Sequence, residues 1–352
     1  MNDLVQEKDR GLRSILIILT VYAATLLLTA GAAVIAESPF SLWFGDTPVV
    51  LLAVLIYIVI LAVVWDGLLL SIGLISETWH RGKPSGEGAT ITVESTRGAR
   101  FFTCGPSPLI IIVMTAFILL GTSNITLINL KLLGTITEWR DPFFWKIEGP
   151  IFEWLSRSSI HAGPWDKLYH SCWGIQLFAA FVLVLLGRSP RIVLHFCLSL
   201  ILLFYVGRFL GIVNPVMGPA FFRPELFGYL SGTITEIAMH RVAAIQTISP
   251  ERAVEAGGVL LGGVSAMPSL HVAMVALTAY WLATAKRWTL FITVPWVLLV
   301  WASTVILGWH YILDGAGGVV LAAACIWATH WGLRAHGIGI PSTRPSLFRK
   351  NK

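Results

Sequence analysis

Apolar residues along this chain gather into long runs, and the short stretches between them hold nearly all of the charge. About eight runs are long enough to cross roughly 30 Å of hydrocarbon: residues 12–36, 47–76, 108–133, 165–187, 192–213, 268–285, 289–309 and 315–333. Backbone N–H and C=O groups find no water in lipid, so each run must satisfy its own peptide groups, and helices are predicted. The fold class is therefore all-α, a polytopic transmembrane helix bundle. The first run is too long for the core of a signal peptide and reads as a retained span. Between the runs, residues 134–164 are rich in Trp, Phe and Pro and are expected along a membrane interface. An amphipathic stretch around 225–246 predicts an interfacial helix. Polar and β-branched residues alternate over 84–102, which predicts a small hairpin. The basic tail after residue 340 is expected to be disordered.

Composition supports this reading. Only 12% of the 352 residues are charged and 56% are hydrophobic, against about 25% charged in an ordinary soluble domain. The net charge of +6 does not call for a nucleic-acid partner. Most of the Lys and Arg residues fall in alternate inter-run segments, including the short turns Arg188-Ser-Pro-Arg191 and Lys286-Arg287, whereas residues 37–46 hold none. By the positive-inside rule both termini are cytoplasmic. The four cysteines, Cys104, Cys172, Cys197 and Cys325, have no pairing or metal-like spacing, and no disulfide or zinc site is expected.

That topology brings two histidines to one face. His271 opens the sixth run in Pro268-Ser-Leu-His271, and His310 closes the seventh in Gly308-Trp-His310-Tyr-Ile-Leu-Asp314. The sixth run crosses inward and the seventh returns, so both imidazoles are expected at the same depth on the non-cytoplasmic side. Pro268 suits the first turn of a helix, and the N–H groups after it, with a Ser269 hydroxyl, form an anion site. His310 and Asp314 are four apart, the spacing that stacks two side chains on a helix face. A carboxylate there fixes the imidazole tautomer and leaves the other nitrogen free to attack. Gly315, Gly317 and Gly318 would let neighbouring helices approach closely. A lone interfacial histidine is commonly only polar trim. Two of them with a carboxylate and a helix N-terminus point to a catalytic site. Lys167, Tyr169 and His170, at the mouth of the fourth run, read as interface anchors.

At these residues the chain resembles the type-2 phosphatidic acid phosphatase superfamily, whose second and third motifs read approximately PSGH and SRxxxxxHxxxD. Here they are Pro268-Ser-Leu-His271 and Ser303-Thr-Val-Ile-Leu-Gly-Trp-His310-Tyr-Ile-Leu-Asp314. Leu270 stands in place of Gly, and Thr304 in place of Arg. The first motif, KxxxxxxRP, survives only as Gly218-Pro-Ala-Phe-Phe-Arg223-Pro224. These departures are similar to the inositol phosphorylceramide synthase and sphingomyelin synthase branch, which transfers a phospho-head-group to an alcohol. The likeness implies a six-helix core over 108–335, preceded by a two-span addition over 1–107 and followed by a basic tail over 336–352. It implies a lipid phosphate or phospholipid substrate and an alcohol or water as acceptor. His310 would be the nucleophile, Asp314 would orient it, and His271 would be the acid and base. Ser269, Leu270, Arg223 and Arg208 would bind the phosphoryl group, and neither metal nor cofactor is implied. The competing expectations are a lipid or phosphate-compound transporter or flippase, whose site would lie nearer the midplane, and a structural membrane subunit.

Overall fold

Long apolar runs in which each residue bonds the peptide four positions back give helices. In the computed structural model of the chain every regular element among the described residues is helical. The described residues are 2–81, 107–133, 138–187, 190–255, 265–335 and 337. The alternating segment 84–102, Cys104 and the tail after 340 lie outside them.

In chain order the elements begin with α1 (Asn2–Ile35) and α2 (Thr47–Arg81). The third predicted run breaks into α3 (Ser107–Leu120) and α4 (Ser123–Leu133). The fourth is a pair, α6 (Ala162–His170) and α7 (Cys172–Gly187), bent by 45°. Then come α8 (Pro190–Val213), α12 (Leu270–Ala285), α13 (Leu290–Ile306) and α14 (Ile312–Ala335). The connections hold α5 (Asp141–Arg157), the short α9 (Pro219–Phe222), α10 (Ile234–Gln246) and α11 (Pro250–Glu255). Six stretches are long and apolar enough to cross a membrane, and the bent pair makes a seventh. The remaining run, α12, has only 16 residues. It packs against α7, α8, α13 and α14, so protein rather than lipid surrounds it.

Two cores result. The larger runs through the bundle, from Ile18 and Ile58 in the first two helices to Trp281, Leu321 and Cys325. Cys172, Cys197 and Cys325 are buried free thiols. A second core, centred on Phe144, Phe152, Phe227 and Tyr311, caps the end of the bundle that carries His271 and His310. Tyr311 is fully buried there, stacked on Phe144 at 5.3 Å between ring centres and edge-on to Phe152 at 5.7 Å. Helix α5 contributes Phe144 and Phe152 inward, while Phe143, Ile147, Ile151 and Trp154 face outward. That stripe is the one expected of a helix lying at a lipid interface.

Candidate active site

Ser269 is the N-cap of α12: its backbone is extended, and its hydroxyl oxygen accepts from the Val272 N–H at 3.5 Å. Pro268 therefore precedes the cap instead of sitting in the first turn, a correction to the sequence expectation. His271 follows as the second helical residue. The third motif ends in a helix start too, but later than its spacing implies. His310 lies in the turn before α14, not on a helix face. Its backbone N–H and that of Trp309 both reach the carbonyl of Thr304, at 3.2 and 3.0 Å. Asp314 stands in the first turn of α14 and accepts from the Tyr311 N–H at 2.8 Å, one half of a capping box. Its Oδ2 thereby comes within 3.6 Å of His310 Nδ1. The two motifs are also joined through the backbone, where Ser269 N–H donates to the Asp314 carbonyl at 2.9 Å.

The close approach of α12 and α14 depends on Gly318, where a Cβ would overlap the Ser269 carbonyl and lie 3.1 Å from the Ala273 nitrogen. At Gly315 a Cβ would strike the Trp301 indole, whereas Gly317 has ordinary van der Waals room. Only two of the three predicted small positions are thus sterically required. The imidazoles of His271 and His310 end with ring centres 6.3 Å apart, a separation that admits one tetrahedral phosphorus between them.

Both face a cavity of about 260 Å³. Its walls include Tyr169, His170, Trp173, Phe204, Phe221 and Trp309, and α10 roofs it with Ala238, Val242 and Gln246, one face of that helix. The amphipathic stretch predicted around 225–246 is therefore a helix over 234–246, and it covers the histidines. Leu270 also lines the cavity. Its side chain fits because Gly207 on α8 lacks a Cβ that would collide with it.

The predicted arginines do not line this cavity. Arg208 is buried, donating to the Thr122 carbonyl at 3.2 Å and the Thr126 hydroxyl at 2.5 Å. It satisfies backbone freed at the break between α3 and α4. Arg223 is half-exposed, lies over Trp145 and Phe222, and pairs with Glu225 at 3.5 Å. Ser269 is wholly buried with its oxygen engaged as the cap. Thr304, where the resembled motif has Arg, is buried and bonded to the Trp301 carbonyl. Among the described residues no Lys or Arg lines the cavity. Of the three expected interface anchors, Lys167 is exposed, but Tyr169 and His170 point inward. No three His, Cys, Asp or Glu side chains among the described residues gather as a metal site requires.

Sequence reasoning missed three buried carboxylates that hold the cap in place, each on two backbone N–H groups. Glu148 of α5 accepts from Ile312 at 2.5 Å and Leu313 at 3.0 Å, at the start of α14. Asp141 accepts from Met217 at 2.8 Å, Gly218 at 3.0 Å and the Tyr311 hydroxyl at 3.3 Å. Asp166 accepts from Ile234 at 2.9 Å and Thr235 at 2.8 Å, at the start of α10. Burial raises the pKa of both Glu148 and Asp141, and these hydrogen bonds oppose the rise. For Glu148 the nearby charge of Asp314 adds to it. The available signal was an acidic residue inside an aromatic, apolar segment, where an unpaired charge would be costly.

A family model described as the PAP2 superfamily matches residues 135–328, more than half of the chain. No curated protein and no solved structure matches the chain significantly.

Proposed function

The chain belongs to the PAP2 superfamily, and from that premise we propose that it is a membrane lipid phosphotransferase with a histidine nucleophile, moving a phospho-head-group from a phosphodiester lipid to an alcohol acceptor. The observation that carries this reading is the pair of imidazoles 6.3 Å apart over one cavity, with Asp314 behind His310. His310 Nε2 attacks phosphorus, and Asp314 stabilises the positive charge that develops on the ring. His271 gives a proton to the departing oxygen and then takes one from the incoming hydroxyl. The step needs no metal.

The preference for a phosphodiester rests on the walls. A phosphomonoester carries close to two charges at neutral pH, and burying that charge without a guanidinium or ammonium is costly. A diester carries one, which two imidazoles and backbone donors can offset. The aromatic and aliphatic lining also favours an organic hydroxyl over water as the group that resolves the intermediate. By the charge asymmetry of the sequence, both termini are cytoplasmic and the cavity opens on the other side.

Lipid mass spectrometry on membranes with and without the protein, supplied with candidate acceptors, tests this directly. A new phosphodiester lipid that is missing with His310→Ala is the expected result. Release of inorganic phosphate instead would make the enzyme a hydrolase, and turnover retained in His310→Ala would remove the histidine mechanism and favour transport. Activity is expected to persist in excess chelator; loss restored by a divalent ion would overturn the metal-free step.

A further inference from the structure

Both cavity histidines turn one ring nitrogen toward a protein side chain, but the two facing groups differ in kind. His310 Nδ1 faces a carboxylate. His271 Nδ1 faces the phenol of Tyr169, with Oη at 3.3 Å. The Tyr169 ring is buried and lies against the His271 ring at 4.3 Å between centres. It is also stacked with Trp309 at 5.7 Å and 11°. Its hydroxyl has no other hydrogen-bond partner among the described residues. The ring is thus held by packing, His271 Nδ1 is the one described protein group its oxygen meets, and the phenol hydrogen is left to the cavity that Tyr169 lines.

We propose that Tyr169 is a positioning residue that keeps His271 in the Nδ1–H tautomer, so that only Nε2 exchanges protons during turnover. The consequence for catalysis rests on the phosphotransfer reading above. In the first half-reaction the bond from His310 Nε2 to phosphorus forms, the bond from phosphorus to the leaving oxygen breaks, and that oxygen takes the proton from His271 Nε2. His271 is then neutral, with its remaining proton on Nδ1 and donated to Tyr169 Oη. In the second half-reaction the acceptor hydroxyl gives its proton to the bare Nε2, its oxygen bonds phosphorus, and the bond to His310 breaks. Were the neutral ring protonated on Nε2, it could not accept that proton. A phenol suits the task because it is uncharged: with its own hydrogen turned to the cavity that Tyr169 lines, its oxygen accepts from Nδ1–H without holding His271 as a permanent cation, whereas the carboxylate at His310 is placed to favour positive charge.

The test is ¹⁵N NMR of the histidine-labelled full-length chain in lipid nanodiscs, with the His271 signals identified by their loss in His271→Gln. Recorded at a pH where the His271 ring is neutral, the wild type should show a protonated Nδ1 and a bare Nε2. Tyr169→Phe, which keeps the ring stack, should move the neutral ring toward the Nε2–H form. An unchanged tautomer in Tyr169→Phe overturns the proposal. If that variant does not fold, 3,5-difluorotyrosine at position 169 weakens the phenol with little change in shape, and an unmoved Nδ1 signal is equally fatal. Kinetically, Tyr169→Phe should lower kcat about tenfold with little change in KM, a part of the 10²–10⁴ that acid–base catalysis supplies. It should also accumulate the phosphohistidine, because the second half-reaction is the one slowed; a defect confined to KM would count against the assignment. The nitrogen signals report the pairing whether or not turnover is found, so failure of the enzymatic reading and failure of this one are distinguishable.

Discussion

Glu148 supplies two acceptors to N–H groups that the first turn of α14 cannot satisfy internally. Replacing it with Ala should cost about 1–3 kcal/mol for each buried donor left unmet, read as a lower unfolding temperature in nanodiscs. Because Asp314 shares that turn, turnover should fall further than stability alone explains. The pH dependence has a definite sign. Burial raises the folded-state pKa of Glu148, so the folded protein keeps this proton longer than the unfolded chain does. Its contribution is most favourable below the ordinary carboxylate range and declines as pH rises through the folded value. Glu148→Gln should flatten that decline when unfolding is followed from about pH 4 to 7. Residues such as His271, His310 and Asp314 were legible in the sequence because ionisable groups are rare in apolar runs and two short motifs frame them. Glu148 and Tyr169 were not, since their partners lie 164 and 102 positions away and no local pattern announces them.

Among the elements, α12 and α14 determine whether the histidines can meet. Gly318→Ala places a methyl group against the Ser269 carbonyl, a backbone atom that cannot rotate aside. The helices should separate at a cost of about 1–3 kcal/mol, and kcat should drop more than expression or thermal stability does. The roof helix α10 hangs on Asp166 at its first turn. Asp166→Ala should therefore raise KM while sparing the His310–Asp314 pair, which a kcat and KM comparison checks. The runs that became α1, α2, α8, α13 and α14 were readable from hydropathy alone. The break at Thr122 and the 45° bend before Cys172 were not, because the groups bonded there, Arg208 at the break and the roof helix at Asp166, come from outside the segments concerned. Arg208, expected from the sequence to bind the phosphoryl group, lies away from the cavity on Thr122 and Thr126: an arginine near the site end of a span has an equally good use in a neighbouring helix's loose carbonyls.

At the scale of the whole molecule, the described residues form a membrane bundle with a separately packed cap, and His271 and His310 lie where the two large cores meet. Hydropathy predicts the bundle because lipid solvation constrains every residue of a span. It is nearly silent about the cap, whose short helices α5, α9 and α10 cohere through aromatic stacking and carboxylate clamps between distant segments. Helix α5 belongs to both worlds, with Phe143, Ile147, Ile151 and Trp154 outward and Glu148 on the backbone beside Asp314. On the function proposed above, head-group crowding and lateral pressure in the surrounding bilayer would press on the same helix that steadies the turn of His310 and Asp314, and lipid composition is then expected to alter the rate as well as supply substrate.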